Sequence, residues 1–69
     1  MLLHEAIAEV VRHSGNRPMH ADDIATEVNR LTLYRRRDRQ PVPHNQAVAR
    51  MISYSHLFES TSPGHYRLR

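Results

Sequence analysis

The chain contains no cysteine and no lysine among its 69 residues, and no long apolar run interrupts its polar composition. Without cysteine there is no disulfide, no thiolate zinc site and no cysteine nucleophile. The same absence fits a reducing, cytoplasmic setting. No segment reaches the length of a signal-peptide core or a membrane span. Sixty-nine residues allow one domain, residues 1–69, whose core is close to the lower limit for independent folding. Met1-Leu2-Leu3-His4-Glu5 already reads as helix and Tyr66-Arg67-Leu68-Arg69 as strand, so the expectation is a module of a longer protein.

The missing lysine is accounted for by a GC-rich coding bias, which puts Arg wherever a cation is needed. That bias does not explain where the cations stand. Residues 1–29 hold two Arg against five acids, a balance of −3, whereas residues 30–69 hold eight Arg against Asp38 and Glu59, a balance of +6. Four of those arginines, Arg35, Arg36, Arg37 and Arg39, fall within five consecutive positions. Guanidinium groups grip phosphate and guanine with paired donors, where an ammonium offers a point charge. On its own such a charge run is an ordinary solvated loop, partly compensated by Asp38. Its place directly before a polar helix points to phosphate contact.

Leu3, Ala6, Ile7, Val10 and Val11 recur at helical spacing, which predicts an amphipathic helix over residues 2–14, stopped by Gly15-Asn16. Pro18-Met19-His20 reads as a short extended link. A second helix starts at His20 or Ala21, with Asp22 and Asp23 favoured by the dipole in its first turn and Ile24, Val28 and Leu31 as its buried stripe. Residues 33–42 form a polar loop. Pro43 suits the first turn of a third helix over residues 43–54. Its expected apolar face is Val48, Met51 and Ile52, with Asn45, Gln46, Ala49, Arg50 and Ser53 mostly on the other side. Leu57-Phe58 and Tyr66-Arg67-Leu68 flank Ser60-Thr61-Ser62-Pro63-Gly64, a hairpin signal with a turn longer than the tightest type. The fold class is therefore α+β, mainly α. It is a winged helix-turn-helix of three helices followed by a β-hairpin wing, cored by the three apolar stripes with Leu57, Phe58, Tyr66 and Leu68.

Several segments resemble the HARE-HTH winged-helix family: Leu3-His4-Glu5-Ala6-Ile7, Pro18-Met19-His20-Ala21-Asp22-Asp23-Ile24-Ala25, a polar loop closing on Pro43, Leu57-Phe58, and Pro63-Gly64-His65-Tyr66-Arg67-Leu68. The resemblance covers nearly the whole chain. Domains of that family occur in restriction endonucleases, chromatin-associated proteins and a bacterial RNA polymerase subunit. Leu33-Tyr34-Arg35-Arg36-Arg37-Asp38, Pro41-Val42-Pro43 and Tyr54-Ser55-His56-Leu57-Phe58 are similar to the winged helices fused to nucleases in modification-dependent restriction enzymes. That narrower likeness implies a reader of N6-methyladenine in double-stranded DNA, joined to a nuclease in a bacterial restriction-modification setting.

Asn and Gln match the major-groove edge of adenine, and Arg matches that of guanine, so Asn45, Gln46, Arg50 and Ser53 are the candidate base readers. Methylation at N6 leaves adenine one donor and adds a group that needs an apolar neighbour; His44, Ala47, Ala49 or Tyr54 is the candidate to supply it. Tyr34 and Tyr54 flank the basic stretch, and each is either a stacking surface or core packing. In the hairpin, Arg67 is the best candidate for a wing contact to the backbone. Winged helices also serve as protein-docking modules, in which case the acidic first two helices face a basic partner.

The six histidines are scattered, and with no HExxH and no Cys-His pattern a metal site is not expected. Ser53-Tyr54-Ser55-His56 lacks an acidic partner and a strained nucleophile turn, so no catalytic residue is assigned. No cofactor is implied, and the expectation is a binding module rather than an enzyme.

Overall fold

A computed structural model describes residues 1–69. Helix α1 spans Leu3–His13, strand β1 Met19–His20, helix α2 Ala21–Arg30, helix α3 His44–Ser53, strand β2 Phe58–Ser62 and strand β3 His65–Leu68. The three helices and the β2–β3 hairpin form the expected winged-helix arrangement. The Pro18-Met19-His20 link does more than connect. Met19 pairs with Tyr66 and His20 with His65, giving a three-stranded antiparallel sheet in the order β1-β3-β2.

Local chemistry sets the helix ends. Glu5 reaches back to accept from the Leu2 N–H at 2.8 Å, closing the start of α1. At its end, Asn16 N–H donates to Val11 O and Gly15 N–H to Arg12 O, both at 3.0 Å. This is the double closure that needs a left-handed residue, and Gly15 takes φ 79°. Helix α2 is capped by His20, whose Nδ1 accepts from Asp22 N–H at 3.1 Å. Helix α3 begins one residue later than the proline rule predicts. Pro43 is the cap, and its carbonyl accepts from Gln46 N–H at 3.1 Å and Ala47 N–H at 3.3 Å.

The core collects Leu3, Ala6, Ile7, Val10 and Val11 from α1, Ala21, Ile24, Ala25 and Val28 from α2, Ala47 and Met51 from α3, and Phe58 from β2. Four expectations are corrected here. Leu31 follows the last turn of α2, so it leaves the stripe and is exposed. Leu57 sits before β2 and is also exposed. Ile52 is 64% exposed, because α3 turns Ala47 and Met51 inward instead. Val42, in the expected polar loop, is 3% exposed and belongs to the core.

Two asparagines then act as short strands. Asn16 takes Leu68 N–H at 2.8 Å and donates to Leu68 O at 3.1 Å, anchoring the end of β3. Asn29 takes Val42 N–H at 2.8 Å and donates to Val42 O at 3.0 Å, anchoring the loop between α2 and α3. Each satisfies both backbone groups of one residue, Leu68 at the end of β3 and Val42 outside any strand, which is what allows such a segment to pack against the core.

Candidate nucleic-acid interface

The loop between α2 and α3 is a built platform. Leu33 N–H donates to Val28 O at 3.3 Å, and Leu33 and Tyr34 pack against the core. The Asn29–Val42 clip holds the other end. Between them, Arg36 pairs with Asp38 at 3.1 Å and donates to Pro41 O at 3.4 Å. Asp38 also accepts from Gln40 N–H at 3.0 Å, and Arg39 N–H donates to Arg36 O at 3.1 Å with Arg39 at φ 61°. Arg36 thus braces the turn, while Arg35, Arg37 and Arg39 make no ion pair or side-chain hydrogen bond.

Pairing sorts the arginines of the whole chain. Arg12 is bound to Glu9 and Arg30 to Glu27, each within one helix. The Arg30 guanidinium holds the Glu27 carboxyl below its usual range, chiefly through their hydrogen bond. Arg67, the expected wing contact, lies opposite Glu59 in the ladder and donates to it at 2.7 Å. Arg69 shares Glu59 at 3.5 Å and donates to Ser55 O at 2.7 Å. The partnerless arginines are Arg17, Arg35, Arg37, Arg39 and Arg50; four of the five lie in the α2–α3 loop or on α3.

Helix α3 advances about 100° per residue. With Ala47 and Met51 inward, Ala49 falls at the middle of the solvent face. Asn45 and Ile52 lie on one side of it, Gln46 and Ser53 on the other. Asn45, Ala49, Ile52 and Ser53 are exposed to solvent, and the half-buried Gln46 and Arg50 occupy the flank. Gln46 borders a shallow depression of about 320 Å³ together with Tyr34, Arg36, Arg37 and Asp38, so the loop and the helix face form one surface.

Three expected readers are not on that face. Ala47 is fully buried and cannot meet a methyl group. Tyr54 follows the helix and stacks on His4 with ring centroids 4.0 Å apart, half-buried against the core. His44 is drawn toward α2, its Nδ1 3.5 Å from Asp22 Oδ1, and stands at the rim. Sequence reasoning missed Ile52. Its signal was present: Asn45, Ala49 and Ile52 stand at i, i+4 and i+7, one face of a helix. No group of three metal-ligating side chains converges anywhere in the molecule.

The HARE-HTH family model, whose description names ASXL and the restriction endonuclease HTH domain, matches residues 1–69. The chain belongs to the HARE-HTH family. No curated protein and no solved structure matches it. Membership makes this a helix-turn-helix DNA-binding module of the winged-helix type, and the family's own description includes restriction endonucleases. No helix of this HARE-HTH domain is long and apolar enough to cross a membrane.

Proposed function

We propose that this HARE-HTH domain reads double-stranded DNA by laying α3 in the major groove, with Arg35, Arg37 and Arg39 on flanking phosphates and Arg36 bracing the loop that carries them. The observation that carries this reading is the pairing pattern: cations elsewhere are mostly neutralised, and four of the five unpaired ones lie on α3 or in the loop that leads into it. Asn45 and Gln46 are suited to adenine, Arg50 to guanine, and Ser53 to either. Ala49, small and central, lets the helix approach closely. Arg67, already held by Glu59, has a minor part.

The sharper form of the proposal is recognition of N6-methyladenine, delivering a fused nuclease to modified DNA in a bacterial cytoplasm. Its support is the amide of Asn45 beside the apolar Ala49 and Ile52, the pairing of donor and methyl contact that such a base requires. The likeness to nuclease-fused winged helices supports it independently.

The test is fluorescence anisotropy with matched duplexes, unmodified, hemi-methylated and fully N6-methylated at adenine, plus a C5-methylcytosine control. Three phosphate contacts give a log–log salt slope of about −2.7, and so roughly 40-fold weaker binding at about 200 mM than at about 50 mM salt. A preference for methyladenine supports the sharper form. Equal binding to every duplex leaves a general DNA tether. No binding to any duplex, with salt-insensitive capture of a protein instead, replaces the proposal with a docking module.

A further inference from the structure

The α2 side of the arginine loop is concave. A recess of about 290 Å³ opens there, bordered by Thr32, Tyr34, Arg35, Arg36, Arg39 and Gln40. That is close to the lower limit of pockets that enclose small ligands. Asp38, the loop's only acid, borders the neighbouring depression and not this one. Three arginines therefore line one cavity with no carboxylate in its lining; Arg36 is held by Asp38, and Arg35 and Arg39 have no partner at all. Convergent like charges repel one another and focus a positive field into the concavity, and an anion relieves both. The arrangement is held, not incidental: Arg36 and Arg39 are the two ends of one turn, closed by Arg39 N–H on Arg36 O at 3.1 Å with Arg39 in the left-handed region. Tyr34 borders both depressions and is the one aromatic residue of the recess lining.

We infer that this recess binds a single nucleotide, its phosphate on Arg35 and Arg39 and its base against Tyr34. Paired guanidinium donors fit the oxygens of a phosphomonoester, the Thr32 hydroxyl and Gln40 amide supply further polar partners, and aromatic rings stack bases of any sequence. A duplex backbone runs across a surface, whereas a concave site takes an end or a free molecule. The occupant is a 5′-phosphorylated DNA end or a free mononucleotide. The site shares Arg35 and Arg39 with the proposed duplex phosphate contacts but none of the base-reading residues of α3, and the closed-end control below keeps the two readings apart.

The test follows arginine side-chain and backbone ¹⁵N signals during titration with inorganic phosphate, dAMP, and duplexes whose single-stranded 5′ overhang ends in phosphate or in hydroxyl. A dumbbell duplex with closed ends measures groove reading alone, so either reading can fail without the other. The expected result is that dAMP or the phosphorylated overhang shifts Tyr34, Arg35, Arg39 and Gln40. Arg35→Gln and Arg39→Gln should each weaken that binding by about tenfold, as loss of a charge-assisted contact predicts, while Arg67→Gln changes it less than about twofold. Tighter binding of the phosphorylated overhang assigns the site to DNA ends, and tighter binding of dAMP assigns it to free nucleotide. Absence of shifts with both overturns the inference. So does binding of inorganic phosphate as tight as that of dAMP, or an equal loss in Arg67→Gln.

Discussion

The α2–α3 loop and the β2–β3 hairpin are both arginine-bearing and both flank α3, yet their electrostatic surfaces differ. In the hairpin, the antiparallel register sets Arg67 opposite Glu59, and Arg69 shares the same carboxylate. In the loop, one aspartate serves four arginines and holds only Arg36. Equal residue types thus give a neutralised wing and an open cationic platform. Arginine content alone does not locate a phosphate-binding surface; the carboxylates within reach do.

The largest expected effect tests that contrast directly. Replacing Arg35, Arg37 and Arg39 together by Ala should weaken duplex binding by roughly tenfold per arginine and make the salt slope shallower by about 2.7 units. Anisotropy titrations at several salt concentrations measure both quantities. An unchanged slope would move the phosphate contacts elsewhere.

The two asparagine clips sharpen the comparison, since they are chemically alike and anchor different regions. Asn29→Ala and Asn16→Ala each strand two backbone groups in a part-buried setting and should cost about 1–3 kcal/mol, read as a lower Tm. Their consequences for binding should differ. Loss of Asn29 frees the arginine platform and weakens DNA binding of the folded protein, while loss of Asn16 loosens the end of β3 and leaves that affinity intact. Equal affinity losses would show that the loop does not need its anchor.

Within α3, neighbouring residues make a smaller version of the same test. Ile52→Ala should leave stability within about 0.5 kcal/mol, because the side chain is exposed. It should reduce discrimination between methylated and unmethylated duplexes by about fivefold, the worth of roughly 1 kcal/mol of apolar contact. Met51→Ala, one residue away and buried, should instead cost about 2–5 kcal/mol of stability. Chemical denaturation of both variants beside their duplex affinities separates the two roles.

The smallest effect is expected at the wing. Arg67→Ala should change duplex affinity by less than about twofold, since the exposed pair with Glu59 already satisfies the guanidinium. A loss as large as that from a loop arginine would make the wing a phosphate contact and remove the contrast.

Much of this fold was legible along the chain. The stripe of α1, the Gly15 stop, the acidic start of α2 and the hairpin signal around Pro63-Gly64 are local patterns, and each became the element it announced. Periodicity is ambiguous where two faces of a short helix are both partly apolar. Val48, Met51 and Ile52 are a reasonable inward set at helical spacing, but Ala47 and Met51 match the space left by α1 and α2, and that choice turns Ile52 outward. The same rotation buries Ala47, a candidate methyl contact. Tyr54 reads as a groove residue because nothing in its sequence neighbourhood announces His4, fifty residues away, as its stacking partner. For the candidate site, the arginine cluster and the polar helix were visible in order, whereas the separation of bracing Arg36 from unpaired Arg35, Arg37 and Arg39 was not.

Periodicity, end signals and charge order are properties of neighbouring residues, so the amino-acid order was enough to specify three helices, a hairpin and a basic second half joined to a helix. Which face of α3 looks outward, which arginines find a carboxylate, and that Met19-His20 becomes a third strand depend on distances between residues far apart in the chain. Those distances exist only once the core has closed, because packing, ladder register and ion pairing are set by what the fold brings within a few ångströms.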